Sequence, residues 1–514
     1  MPFPKPGTDW PPTDYKVWYT KMVEWGAWYS GDPMELVRLY SSSLYHPNTE
    51  QGRFWARTEA EERVGVVHLP AAGDIASMSA NLLFSETPEF KYEKDRPGGD
   101  RITDFIRENG VLSLLLEGSE IAAALSGVFL KLDIDPEVTK LPILSVVTPL
   151  QAIPYFRRGR LWEVLFFRVV KEENDRVWRL FELRKREDEQ LVIQYKLYQG
   201  GSDKVGREVD IASIDETATL GLEDISYEID GLGCVYVPNM RPNRLMPGSP
   251  LGINDYHGSI TLLDSLDFAW TSWMRDIELG MAQILVDEEL LEKPNAPGEL
   301  LTQTGRQARA RFNKLEKAFI KLNLSPWKLG GESGVKPIEQ VQFELRVEEH
   351  MKTCESLLWQ IVTQCGYSPQ TFGLGISGRA ESGTALRIRE RKSLLTREKK
   401  SRYWQPTLAA LFSQMQQLDL KSNLAPKHYD IQEVDVVLGD SIIPDPRENS
   451  EVIRNLDQAK AVSTYTKVVM LHPDWTKEDI EAEVQRILDD QGAGLAPFGA
   501  GIPTGTPEEE GTQR

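Results

Sequence analysis

The chain has 514 residues, and its 78 Asp and Glu against 59 Lys and Arg leave a formal net charge of -19. That length exceeds what one hydrophobic core organises, so several domains are expected, and so acidic a chain is a poor match for tight, sequence-independent nucleic-acid binding. The three cysteines, Cys234, Cys354 and Cys365, are an odd number without paired spacing, which points to a reducing compartment and away from a disulfide framework. The opening run MPFPKPGTDWPP has no apolar signal core.

Pro11 and Pro12 precede a helix on which Trp18, Met22, Trp25 and Tyr29 share one face, an aromatic anchor with Trp28 and Trp55 nearby. AAGDIASMSANLLF predicts a second helix with Ile75, Met78 and Leu82 as its buried stripe. Pro88 then turns the chain to extended structure, and KYEKDRPGGD reads as a loop. The most apolar run, VLSLLLEGSEIAAALSGVFLKL, is broken by Glu117 and Glu120, so it reads as a buried helix and strand rather than a membrane span. From Leu141 to Leu197, WEVLFFRVV, VWRLFELR and QLVIQYKLY are strand-rich runs separated by charged turns, giving an antiparallel sheet in an α+β fold. Ser259 can cap a long helix whose apolar side carries Ile260, Leu263, Leu266, Trp270, Trp273, Ile277 and Met281, with Asp264, Asp267, Asp276 and Glu278 on its acidic face. AQILVDEELL can leave that helix as a strand, KPNAPGE is a linker, and RQARARFNKLEKAFIKL is basic.

The run from Pro337 to Gln405 is the most organised part of the sequence. A short strand over Ile338–Leu345 leads to a helix with Val347, Met351, Cys354, Leu358, Ile361 and Cys365 on its apolar stripe, and Glu348, Glu349, Lys352, Glu355 and Gln360 opposite. Gly366 is placed to end that helix, with Pro369 just beyond. A Gly-rich loop, SPQTFGLGISGRAESG, follows, and then a helix from about Ser382 or Thr384 to about Tyr403 that carries Arg387, Arg389, Arg391, Lys392, Arg397, Lys399, Lys400 and Arg402. Farther on, KHYDIQEVDVVLGDSIIPDP holds a strand, and ENSEVIRNLDQAKAV and TKEDIEAEVQRILDD are helices, the latter capped by Thr476 with Asp479 near its N-terminus. The Gly- and Pro-rich end, QGAGLAPFGAGIPTGTPEEEGTQR, is expected to be disordered.

The motifs of enzyme chemistry are missing. A phosphate-cradling P-loop needs Gly-Lys, and no such dipeptide occurs. Gly373, Gly375 and Gly378 match G-x-G-x-x-G, but SPQTF precedes them where a nucleotide fold needs a strand. His350 and Cys354 are four apart, with Cys365 beyond, and no second cluster completes a metal site; the six histidines are scattered.

The phrases EQVQFELRVEEHMKTCESLLWQIVTQCGYSPQTFGL, ESGTALRIRERKSLLTREKKSRYW, VPNMRPN and SPLGINDYHGSITLLDSLDFAW resemble the portal proteins of tailed bacteriophages, of the long-tailed siphophage type. The resemblance runs from about Trp10 to Asp489 and implies an α+β portal fold assembled as a ring of about twelve subunits with cyclic symmetry. It implies a wing over residues 1–258, stem helices at 259–282 and 346–366, a small α/β clip at 283–345, a tunnel loop at 367–383, a wing return at 384–447, a helical crown at 448–492, and a tail at 493–514. Phe372, Gly373, Leu374, Gly375, Ile376, Ser377, Gly378 and Arg379 would then meet the DNA channel, together with Glu348, Glu349, Lys352 and Glu355 of the second stem helix. Arg387, Arg389, Arg391, Lys392, Lys399 and Lys400 are assigned to contacts between subunits. The implied role is a non-catalytic channel at one capsid vertex, in the virion and, during assembly, in the host cytoplasm. Its implied partners are double-stranded DNA, the terminase large subunit, a head-tail adaptor, and the major capsid and scaffold proteins, with no cofactor, metal or membrane. Acidic stem faces repeated around a ring would keep the DNA backbone from sticking. Another virion structural protein, of capsid or tail, and an enzyme with an unrecognised site are the rival readings.

Overall fold

The computed structural model describes residues 3–41, 54–57, 66–279, 283–287, 319–322, 338–341, 346–375, 383–439, 446–472 and 475–493. They divide into two compact units: residues 1–378 with 389–441, and residues 379–388 with 442–514.

The first unit opens with α1 (Thr13–Ser30), which buries Trp18, Met22, Trp25 and Trp28 and stops at Gly31, whose φ of 70° suits glycine. Tyr29 sits at the edge of that face and donates a 2.8 Å hydrogen bond to Glu120. After α2 (Pro33–Ser41) comes α3 (Ala71–Phe84). Its buried stripe is Ala72, Ile75, Ala76, Ser79, Ala80 and Leu83, while Met78 and Leu82 lie on the flank. The expected stripe is thus rotated. The partner helix α5 (Val111–Leu125) buries Gly118, Ser119, Ala122 and Ala123, and small residues on both sides let two helices approach closely. Between them lie β1 (Glu89–Lys91) and α4 (Gly99–Glu108).

β2 (Gly127–Asp133) forms the centre of a three-stranded antiparallel sheet, flanked by β3 (Ile143–Val147) and β10 (Cys234–Pro238). A second sheet is the expected antiparallel meander: β4 (Ala152–Arg157), β5 (Arg160–Glu173), β6 (Arg176–Glu187), β7 (Gln190–Gly200) and β8 (Arg207–Val209), with β9 (Ile225–Tyr227) also on β7. Its first three hairpins turn on Arg158-Gly159, Asn174-Asp175 and Asp188-Glu189, each pair at positive φ, the two-residue turn whose twist matches the strands. At β6 the guanidinium of Arg184 is fully buried and paired with Glu182 and Asp133, and Lys131 reaches Glu182 at 2.9 Å. Burial alone would raise the Glu182 carboxyl; Arg184 and Lys131 overcome it and hold it at about 2.

α6 (Ile260–Leu279) follows, and beyond it β11 (Gln283–Asp287) pairs parallel with β12 (Phe319–Leu322) and antiparallel with β13 (Ile338–Val341). α7 (Val347–Gln364) leads to α8 (Gly383–Lys421), which runs well past the expected end near Tyr403. Pro406 removes one hydrogen bond from α8, but Trp404, Leu408, Leu411, Phe412, Met415 and Leu418 are buried in one core with Phe105, Leu115 and Leu130, and that burial outweighs the break. β14 (Asp435–Val437) closes this unit by pairing with β1.

The second unit holds α9 (Pro446–Gln458), α10 (Thr464–Leu471) and α11 (Lys477–Ala493). α10 is absent from the sequence reading; Ser463 caps it by accepting from Thr466 N at 3.2 Å, and Lys467 meets Asp457 of α9 at 2.6 Å. Thr476 caps α11 as expected, accepting from Asp479 N at 3.3 Å.

Candidate functional site

The long apolar repeat after Ser259 and the one after Arg346 fold into an antiparallel pair. Ser259 donates to Gln364 at 3.3 Å at one end, and Asp276 receives Arg346 at 2.6 Å at the other. His350 Nε2 also lies 2.9 Å from Asp276, and its ring stacks on Trp273, 6.1 Å between centroids and 5° from parallel. Hydrogen bonds from His350 and Arg346 hold the Asp276 carboxyl below its usual range. A cleft of about 400 Å³ between the helices is lined by Phe268, Ala269, His350, Thr353 and Leu357 among others.

On α7, Cys354, Ile361 and Val362 are buried, as is Cys365 at its end, but Val347 and Met351 are exposed, so the predicted stripe is covered only from Cys354 onward. Glu348, Glu349, Lys352 and Glu355 are exposed together, with Lys352 paired to Glu348 at 3.3 Å. The acidic face of α6 departs from expectation. Asp267 is 0% exposed: it accepts from Leu69 N and Trp55 Nε1, each at 2.9 Å, and lies 2.7 Å from His68 Nδ1. Asp264 is buried as well and accepts from Phe54 N at 2.7 Å. These two carboxylates bind the N-terminal segment to α6 and add nothing to an acidic surface. A buried backbone N–H needs an acceptor, which periodicity alone does not reveal.

Just past the end of α7, Gly366 takes a φ of 95°. The carbonyls at that end are satisfied from α8: Thr396 donates to Gly366 O at 2.6 Å, and Lys392 donates to Thr363 O. The loop begins with a 3-10 turn, Pro369–Phe372, fixed by Ser393, whose hydroxyl accepts from Ser368 N at 2.8 Å and lies 2.8 Å from that of Thr371. Phe372 and Leu374 pack partly buried against the same core as Tyr367, and Gly373 and Gly375 take positive φ. This first half of the loop is therefore docked on its own subunit. Ile376, Ser377, Gly378 and Arg379 lie outside the described residues, as does the side chain of Arg387.

The basic residues of α8 separate into distinct environments. Arg389 and Arg391 are exposed, Lys399 is half-buried, and Arg397 is buried and donates to Leu82 O at 2.7 Å. Lys400 is 1% exposed, so its assignment to a subunit contact is corrected: its ammonium is inside the chain. It lies 2.8 and 2.7 Å from the two oxygens of Asp255 and donates to Ser79 at 2.6 Å. Asn239 and Tyr367 also donate to Asp255, each at 2.7 Å. Burial pulls the Lys400 ammonium below its ordinary value, with Asp255 opposing, and pushes the Tyr367 phenol well up. This polar knot joins α3, β10, the approach to α6, the exit of α7 and α8. One sequence signal could have found it. Lys400 lies seven residues after Ser393, four after Thr396 and four before Trp404, all buried, so a lysine stands on the apolar face.

Burial pushes the Cys234 and Cys365 thiols up to about 12, and no group of three metal-ligating side chains occurs among the described residues. No helix among them is long and apolar enough to cross a membrane.

The family model described as "Phage portal protein, SPP1 Gp6-like" matches residues 24–493. The chain belongs to that family. Two solved structures are similar to this portal-family chain at 12% identity, each over 80% of its length. The "Neck of empty GTA particle computed with C6 symmetry" is covered over 93% of its chain with a TM-score of 0.40. The "Neck of native GTA particle computed with C12 symmetry" is covered over 92% with a TM-score of 0.35. A comparison with curated proteins gave no match.

Proposed function

We propose that this portal-family chain closes into a ring around an axial channel at one capsid vertex, through which double-stranded DNA is packaged and later ejected. The observation that carries the reading is the family match across residues 24–493. In the ring, head-to-tail contacts close by rotation into about twelve copies. The α6–α7 pair is the stem, α9 to α11 the crown, and the strands around β11 the clip. The exposed residues Glu348, Glu349 and Glu355 of α7 line the passage, where like charge keeps the DNA backbone from adhering, and Lys352 tempers them. Phe372 and Leu374 root the tunnel loop on its own subunit. Arg389 and Arg391 face acidic surface on the neighbouring subunit. The ring is also the platform for the terminase large subunit, the head-tail adaptor, and the capsid and scaffold proteins. The role is passage, without catalysis.

Mass photometry of the purified chain with negative-stain imaging tests this. The expected outcome is one closed oligomer with a central hole. A monomer at all concentrations, or open filaments, contradicts it.

A further inference from the structure

The tip of the β4–β5 hairpin is basic and aromatic in an acidic chain. Arg157, Arg158 and Arg160 are all exposed there, and none of them makes an ion pair among the described residues. Five other cations of the two large sheets, Lys131, Arg184, Lys185, Arg186 and Lys196, each meet a carboxylate, and although exposed Arg168 and Arg176 have no ion pair among the described residues, they stand singly rather than clustered. Arg157 and Arg160 are register partners, so their side chains leave the same face of the hairpin. On that face the guanidinium of Arg157 lies 5.0 Å from the ring centre of Trp162, which stiffens it and leaves its N–H groups unspent. Tyr155 and Trp162 remain 51% and 36% exposed. Arg158 holds a φ of 52° at a turn position where asparagine or glycine is far commoner, so an arginine stands there against local preference.

We propose that this hairpin tip is a contact for the phosphate backbone of duplex DNA, separate from the channel. Three clustered guanidiniums with no ion pair among the described residues, on a two-stranded ribbon, suit a groove flanked by phosphates; the major groove, roughly 12 Å wide, admits such a ribbon. A stable protein interface needs about 800 Å² from each side, more than a hairpin tip offers alone. The acidic remainder of the chain repels a duplex that reaches past the tip, so the contact is short and easily released by salt. The assignment rests on the portal reading only in taking duplex DNA as the polyanion.

The test is fluorescence anisotropy of a labelled mixed-sequence duplex titrated with the full chain over a salt series. The variant is R157Q/R158N/R160Q, in which asparagine suits the positive-φ turn; R168Q/R176Q, at two other exposed arginines of the same sheet, is the control. The triple variant should bind at least about tenfold more weakly at low salt, with a log–log salt slope shallower by roughly 2 to 3, and the control should bind as wild type. Matching melting curves establish that the variant is folded. Equal affinity and slope in wild type and triple variant, or no binding by wild type at low salt, overturns the assignment. So does a triple variant with unchanged anisotropy but impaired oligomerisation, because the tip then faces an acidic surface of a second copy. Mass photometry of the same samples scores ring formation independently, so a ring-forming chain with a silent tip refutes this contact and leaves the portal reading intact.

Discussion

Lys400 and Asp255 illustrate how much a single residue position decides. Removing one member of a buried ion pair leaves the other charge unpaired in a poor solvent, at a cost of about 3–5 kcal/mol, whereas removing both is far milder. K400M should therefore lower the thermal midpoint markedly, and K400M/D255N should recover much of the loss; a K400M protein that melts with wild type would show that the knot is not structural. Glu182 carries the pH dependence of the meander. Its folded carboxyl is held at about 2, below its ordinary 4.5, so its contribution is present above the ordinary value and is lost as pH falls through that interval toward 2. Melting curves across acid pH should show a steeper loss for wild type than for E182Q, and parallel curves would contradict the assignment. The partners of Lys400 were not legible in the sequence, because it is 321 residues from Ser79 and 145 from Asp255; only its own place on an apolar helix face is a local signal.

At the scale of elements, periodicity read well wherever one face is apolar and the other wet. The N-terminal aromatic helix, the meander and its charged turns, the β11 strand, and the helix ending just before Gly366 all stand where the pattern places them. It misled where size stood in for burial. The small face of α3 was overlooked in favour of Met78 and Leu82, and the acidic residues of α6 were taken for surface although Asp264 and Asp267 are interior acceptors. The helix pair also leaves large apolar groups uncovered: Phe268 is 57% exposed on α6, and Met351 and Trp359 are 43% and 47% exposed on α7. In the proposed ring Met351 lies between neighbouring stems, where a central side chain is worth about 2 kcal/mol or more, whereas Trp359 shares the helical stripe of Glu348 and Glu355 and faces the passage with them. V347E and M351E, one turn apart on an exposed stripe of α7, should each reduce the fraction of closed rings in mass photometry while leaving the melting of the subunit nearly unchanged. Full assembly of both variants would place these side chains elsewhere. Charge reversal at Arg389 and Arg391 is expected to weaken assembly too, with a dependence on ionic strength, and sizing chromatography at two salt concentrations would detect it.

For the whole molecule, the net charge of -19 and the family membership fit one physical picture: a passage that DNA traverses without being held. In the proposed ring acidic rows repel the duplex inside the channel, and the proposed contact at the hairpin tip adds a local, salt-sensitive grip outside it. The order of helices and strands was legible because most segments have their own patterning; a surface that meets another copy was not, since one chain's patterning is silent on what lies beyond it. A cryo-EM map of the assembled chain tests this most directly. The account predicts a closed ring whose α6–α7 pairs surround an axial channel, with Glu348, Glu349 and Glu355 on the channel side. A closed ring that carries α7 on its outer wall, or an assembly with no axial opening, would contradict it.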